Sequence, residues 1–577
     1  MKSTKKILTF ILSILVASFA TAQVKPKPKP VKPGKVAINY TVSWGPDLKL
    51  KGDSPNKILL YENGSFYAIT DNSAGSLAAA YFTGFSFGGS SEYVTKINSK
   101  LDLVLQKKIE TEESEKAVSN HRLTNIIEFN DAIYLITRDK ISKEKKVVYF
   151  IEKLNLSTLM SDGVKKKIYE VDYSVEKKRD DCVLRTLQHH GSDALVFFDN
   201  HEVKKGENVQ ITVFAVDKNF DVAWKKEITF PLLKGKNFDF DKYINPRGDL
   251  YLIAKVYFDD DKKKKHKDIV EGELNFDYHI YMIGKDISTF IDYPFNLKDK
   301  LVSQVNLDVN DKGELLAVGF YSDIKKKDRA GSSKGVFYTI IDPETKTIKA
   351  QSYKNFETEV FTAGLSSKKA AKLEEKMDEG KKEGSADKYI IRELIPRKDG
   401  GSTMIAEEHY IYTVTYSTGK STRTVTHFVY GNLIITKINA AGEIEWTTVI
   451  TKNTNVTAST LTCSYLSFDE GNDTYDIFFN DHKDNLLSAQ ASAKGTKVLT
   501  DAIKPMRFVR VVVKPDGTLS KKEVALRMDE DDEKTRLSPM VSTQVNDNEI
   551  ILYGMDRGKD KFAKITFKDL EKGSDTK

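Results

Sequence analysis

The sequence predicts an all-β protein, a β-propeller of eight four-stranded blades or of seven, on three observations. Short apolar runs recur in pairs about Asn, Asp and Gly turns. The pairs return eight times along the chain. An unpaired strand stands at the amino end, where the last repeat lacks one. Composition agrees: of 577 residues, 40% are hydrophobic and 10% aromatic, which excludes wholesale disorder, and two cysteines exclude a disulfide framework.

The chain opens with Lys2, Lys5 and Lys6, an apolar stretch at 7–20, and Ala20-Thr21-Ala22 before Gln23. This is the order of a secretory signal peptide over 1–22, too short at 14 residues for the roughly 18–20 that span a bilayer. Residues 23–35 alternate Lys and Pro, a stiff cationic linker in polyproline II. The formal charge of +7 resides in these two segments, leaving −1 for 36–577, so no nucleic-acid partner is expected. No later segment is apolar enough to span. The expectation is an exported protein, periplasmic or associated with the outer membrane or the cell exterior, with a single propeller domain over 36–577.

Within that domain the first hairpins turn at Asn63-Gly64, Asn130-Asp131, His190-Gly191-Ser192, Pro246-Arg247-Gly248, Asp311-Lys312-Gly313, Asp399-Gly400-Gly401, Glu470-Gly471-Asn472 and Asp547-Asn548. Asn-Gly supplies the positive φ that tight hairpins require. These turns span 485 residues in seven intervals of about 69, long for a propeller repeat of roughly 40–50. Second hairpins follow, clearest at 211–228, 433–450 and 510–525. Leu105, Trp224 and Trp446 each lie seven residues after the Asn or Asp that opens the turn, one position of the fourth strand. The strand at 36–44 is expected to complete the last blade.

An up-and-down blade places its 1–2 and 3–4 turns on one face and its 2–3 and 4–1 connections on the other. The expansions (74–91, 259–273, 322–334, 362–388, 416–423 and 485–503) all belong to the second class, which marks that face as the working surface. One of them reads as a helix at 366–380, with a Ser start, a Gly stop and a stripe of Ala370, Leu373 and Met377. It serves as a lid or as a plain insertion.

The candidate ligand-binding residues are Tyr81, Phe82, Phe85 and Phe87, in a loop that either presents rings or packs beneath its neighbours, and His409, Tyr410 and Tyr412. Strand alternation sends Glu407, His409 and Ile411 to one side and Glu408, Tyr410 and Tyr412 to the other. His189, His190 and His201 lack ligand spacing, so no metal is expected. No hydrolase, nucleotide or calcium motif appears, and no catalytic residue is assigned. Cys182 and Cys463 fall in blades three and seven, too far apart to bond, and are expected as buried free thiols.

The element Gly442-x-x-x-Trp446, with the exported amino end, resembles secreted bacterial β-propellers and more distantly eight-bladed quinoprotein-like propellers. Those include quinone-dependent dehydrogenases and a scaffold of outer-membrane protein assembly. The dehydrogenases carry a vicinal cysteine pair at the cofactor. Cys182 and Cys463 are far apart, so no cofactor is expected. The resemblance implies a non-catalytic binding or scaffolding propeller of the cell envelope, with an envelope protein or glycan as partner on the long-loop face. The alternative is an exported enzyme, glycan-directed or quinone-dependent, with its site at the channel mouth.

Overall fold

The computed structural model describes residues 39–568 apart from 53, 72–91, 111–119, 175–181, 189–193, 202, 204–206, 234–237, 259–267, 272, 296, 298–299, 311, 326–328, 331, 418, 420, 487–493, 502–504, 527–534 and 557. Tyr81, Phe82, Phe85, Phe87, His189, His190, the signal segment and the Lys/Pro linker lie outside the described residues.

Eight sheets each carry a four-strand antiparallel meander. Blade one is Ser54–Glu62, Ser65–Asp71, Tyr93–Ile97 and Leu103–Lys108, and blades two to seven follow in chain order. The eighth joins Arg536–Asn546, Glu549–Asp556 and Lys559–Phe567 to the amino-terminal strand Tyr40–Trp44. That strand runs antiparallel to the last, Tyr40 opposite Phe567 and Trp44 opposite Ala563. The ring is therefore fastened as the sequence predicts, by the start of the chain completing its final sheet.

The cores close the circle. Alternation gives each sheet two apolar faces, and each face packs on the sheet next in sequence. One cluster joins blades one and two through Tyr67, Val94, Ile133 and Leu135, and its equivalents run on to blades seven and eight. The last seals blade eight to blade one through Phe66, Ile97, Ile551 and Phe562. Eight such interfaces fix the count at eight blades.

The turn chemistry follows the sequence. Asn63 and Gly64 have φ of 51° and 77°, and Asn130 and Asp131 have 46° and 55°. In blade seven the strand continues through Gly471, and the turn falls on Asn472 and Asp473 instead, where φ is 50° and 60°. Leu105, Trp224 and Trp446 occupy one register position, opposite Lys96, Ala215 and Lys437, each one residue before the third strand ends.

The helical insertion forms as two pieces between blades five and six, α1 (Thr358–Thr362) and α2 (Ser367–Asp378). No residue of α2 is fully buried, and its Ala370, Leu373 and Met377 stripe is half-exposed. Cys182 and Cys463 are buried and are not joined by a disulfide. No helix of the described residues is long and apolar enough to cross a membrane.

Candidate functional site

Blade six departs most from the repeat. The expected loop at 416–423 is replaced by a projecting hairpin, because the second strand runs over Ser402–Ser417 and the third over Thr422–Ile438. Thr- and Tyr-rich alternation keeps both strands extended beyond the sheet. The blade ends and the projection begins at a bulge, where Gly431 and Asn432 together face Glu408 between the Glu407–Leu433 and His409–Tyr430 pairs. A β-carbon at Gly431 would stand 2.2 Å from Glu408 Oε2, so a side chain there would displace the Glu408 carboxylate. A short strand, Thr454–Val456, from the connection to blade seven pairs with Phe428–Tyr430 and stiffens the base.

The two sides of this hairpin differ, as alternation predicts. One side is a ladder of rings. Tyr412 stacks on His427 at 4.6 Å with an interplanar angle of 4°, and on Tyr410 at 6.1 Å. The Lys388 ammonium caps Tyr410, 3.6 Å from its ring centroid. Asn455 ties the ladder together. Its Nδ2 donates to Tyr412 Oη at 2.9 Å, and His427 Nδ1–H donates to its Oδ1 at 3.0 Å. The amide therefore fixes both the imidazole tautomer and the direction of the phenol. Tyr412 remains 37% exposed, so the oriented hydroxyl can meet a solute. Burial pushes the Glu408 carboxyl above the usual range, with Lys388 opposing, and burial and Glu408 raise the Tyr410 phenol.

The other side is ionic and closed. Glu407, fully buried, forms an ion pair with Lys452 at 2.7 Å and accepts from Arg392 Nε at 3.3 Å and from Ser464 Oγ at 2.8 Å. His409 belongs here rather than with the tyrosines, its ring 4.4 Å from that of Tyr430. Burial and the neighbouring Arg392 guanidinium push its pKa down to about 4, so it is neutral near pH 7. A second buried pair, Lys522 and Asp481 at 2.6 Å, lies in blade seven.

The connection from blade six to blade seven reaches far from its own blade. Thr460–Ser464 is buried, and Leu461 packs into the core between blades eight and one. Asn480 Nδ2 spans from the Thr462 carbonyl at 2.9 Å to the Leu537 carbonyl of blade eight at 2.7 Å. This stretch thus ties blade seven to blades eight and one.

Of the candidates named from sequence, Tyr410 and Tyr412 come together and His409 is set apart. His427, Asn455 and Lys388 were missed. They lie 67 residues apart along the chain, between Lys388 and Asn455, and only the Thr454–Val456 pairing, a three-residue strand without a sequence signature, joins Asn455 to the rings. Among the described residues no group of three or more His, Cys, Asp or Glu could hold a metal ion.

No described protein family matches the chain, and neither does any curated protein. Solved structures do. A tryptophan-to-alanine mutant of Synechocystis apocarotenoid oxygenase is 12% identical, covering 83% of this chain and 88% of its own at a TM-score of 0.31. The cobalt-substituted form of that oxygenase is 11% identical over the same shares, at 0.32. A chimera of ACO and RPE65 is 11% identical, covering 70% of this chain and 90% of its own, at 0.28. Two expectations are corrected by these neighbours. The structural neighbours are oxygenases, not quinoprotein-like propellers. The non-catalytic scaffold drawn from that analogy loses its support with it. At such identities and TM-scores none of their chemistry carries over to this chain.

Proposed function

We propose that this protein is an exported enzyme acting by acid–base chemistry on an acidic glycan, at the ring ladder of blade six. The observation that carries this reading is the Asn455 bridge. A hydroxyl that is exposed, oriented by an amide, and backed by an imidazole through the same amide is arranged for proton transfer. Tyr412 is the group that moves the proton. The Asn455 N–H donated to its oxygen orients it, and as the base it takes a proton from the carbon beside a sugar carboxylate. Elimination then breaks the adjacent glycosidic C–O bond, forms a C=C bond, and passes the proton to the leaving alkoxide. Lys388, seated over Tyr410, holds the substrate carboxylate and makes that carbon more acidic. His427 and Asn455 are positioning residues.

Such substrates lie outside the cytoplasm, which accords with the leader expected at 1–22. Sequencing the secreted protein from Gln23 tests that expectation. For the activity, the full chain is incubated with polygalacturonate, alginate and heparin, and the ultraviolet absorbance of the unsaturated product is followed. Tyr412→Phe is expected to lower kcat at least 100-fold with KM nearly unchanged, and Lys388→Ala to raise KM. No unsaturated product from any acidic polysaccharide, or full activity in Tyr412→Phe, overturns the reading.

A further inference from the structure

We infer that two copies of this chain associate through the projecting hairpin of blade six, strand edge to strand edge. Beyond Glu408 the strand Ser402–Ser417 has a neighbour on one side only, since the strand Tyr389–Pro396 on its other side reaches no further than Glu408. His409 marks the free side: its N–H points there and donates to the Lys388 carbonyl at 2.7 Å. Alternation then turns the N–H and C=O groups of Ile411, Thr413, Thr415 and Ser417 outward as well. No described residue pairs with them. The edge is open to solvent, Ile411 being 49% exposed and Tyr416 53%.

Nothing blunts this edge against pairing. Outer strands elsewhere carry lysine or proline, as Lys107 and Lys108 in blade one, Lys166 and Lys167 in blade two, and Pro294 in blade four. From Tyr410 to Ser417 there is no charged residue and no proline. The order of residues identifies the occupant as a second copy, because Tyr412-Thr413-Val414-Thr415-Tyr416 reads the same in both directions. Two such strands, antiparallel about a two-fold axis at Val414, match like with like. Tyr412 of one copy faces Tyr416 of the other, Thr413 faces Thr415, and Val414 faces itself. This register also fits the backbone. It sets outward groups against outward groups, Thr413 with Thr415 and Ile411 with Ser417, so both copies make the same bonds. Aromatic and threonine pairs across strands are stabilising, and no like charges meet. So short a strand buries less than the roughly 1,200–2,000 Å² of a stable interface, which makes the dimer a reversible one at micromolar concentration.

Sedimentation velocity of the full chain, from low to high micromolar concentration, tests this pairing. A reversible monomer–dimer equilibrium is expected. Val414→Lys and Val414→Glu each place two like charges together on the axis and should weaken dimerisation at least tenfold, with circular dichroism unchanged. Mixed in equal amounts, these two variants should associate at least tenfold more tightly than either does alone. Tyr412→Phe keeps the ring and should dimerise like the wild type, so loss of the activity proposed above and loss of the dimer are separable. A chain that stays monomeric at every concentration leaves the edge to some other partner and overturns the inference. So does undiminished association of Val414→Lys, or a mixture of the two variants that associates no better than either alone.

Discussion

Lys452 Nζ lies 2.7 Å from Glu407 Oε1, and both side chains are at most 1% exposed. The pair joins the connection leaving blade six to the strand from which the hairpin projects. Burying two charges is tolerated because Arg392 and Ser464 complete the carboxylate's shell.

Removing the lysine should therefore cost more than removing the pair. Lys452→Met is expected to destabilise the protein by about 3 kcal/mol, since it strips a buried carboxylate of its main partner. The double variant Lys452→Met/Glu407→Gln should recover a good part of that loss. Urea denaturation of the three proteins checks the order.

The amino-terminal strand closes the ring, and Tyr40 extends its grip to blade seven. Its hydroxyl donates to the Ala525 carbonyl at 2.8 Å, and the Arg510 guanidinium lies 5.1 Å from its ring centroid. Deleting residues through Trp44 exposes the edge of the strand at Lys559–Phe567 and should lower the melting temperature sharply. An unchanged melting temperature contradicts this role for the strand.

His409 gives a pH signature of known sign. Its pKa is about 4 in the folded chain against about 6.5 unfolded, so between those values the unfolded state binds more protons. Its contribution to stability is thus intact above about pH 6.5 and declines as the pH falls toward 4. The loss is on the order of 2 kcal/mol. His409→Gln should flatten this part of the profile of stability against pH, which melting curves from pH 4 to 8 will show.

The repeated tryptophan position depends on a glycine in the neighbouring blade. Gly517 has φ of 80°, and a β-carbon there would stand 2.7 Å from the Trp446 indole, whose Nε1–H donates to the Pro515 carbonyl at 3.0 Å. Gly517→Ala should cost about 1–2 kcal/mol through both the turn and the contact, and should shift the emission of Trp446. Gly313→Ala keeps the strained φ of 76° without a neighbour within 4 Å, and should cost less.

Much of the architecture can be read from local chemistry. Asn-Gly and Asn-Asp turns at 63–64 and 130–131, the constant offset of Leu105, Trp224 and Trp446, and the unpaired strand before Trp44 each express a constraint that acts within a few residues. The sequence by itself thus determined a ring of four-stranded sheets closed by its own beginning, because turn dihedrals and two-residue alternation are properties of neighbours in the chain. The tertiary structure alone decided that Tyr412, His427, Asn455 and Lys388 share one surface, and that the side to which alternation sends Glu407 and His409 is closed by Arg392 and Lys452. The physical reason is that strand pairing sets contacts by register. A bulge at Glu408 and a three-residue strand at Thr454–Val456 choose that register through hydrogen bonds across the sheet, which leave no periodic trace in composition.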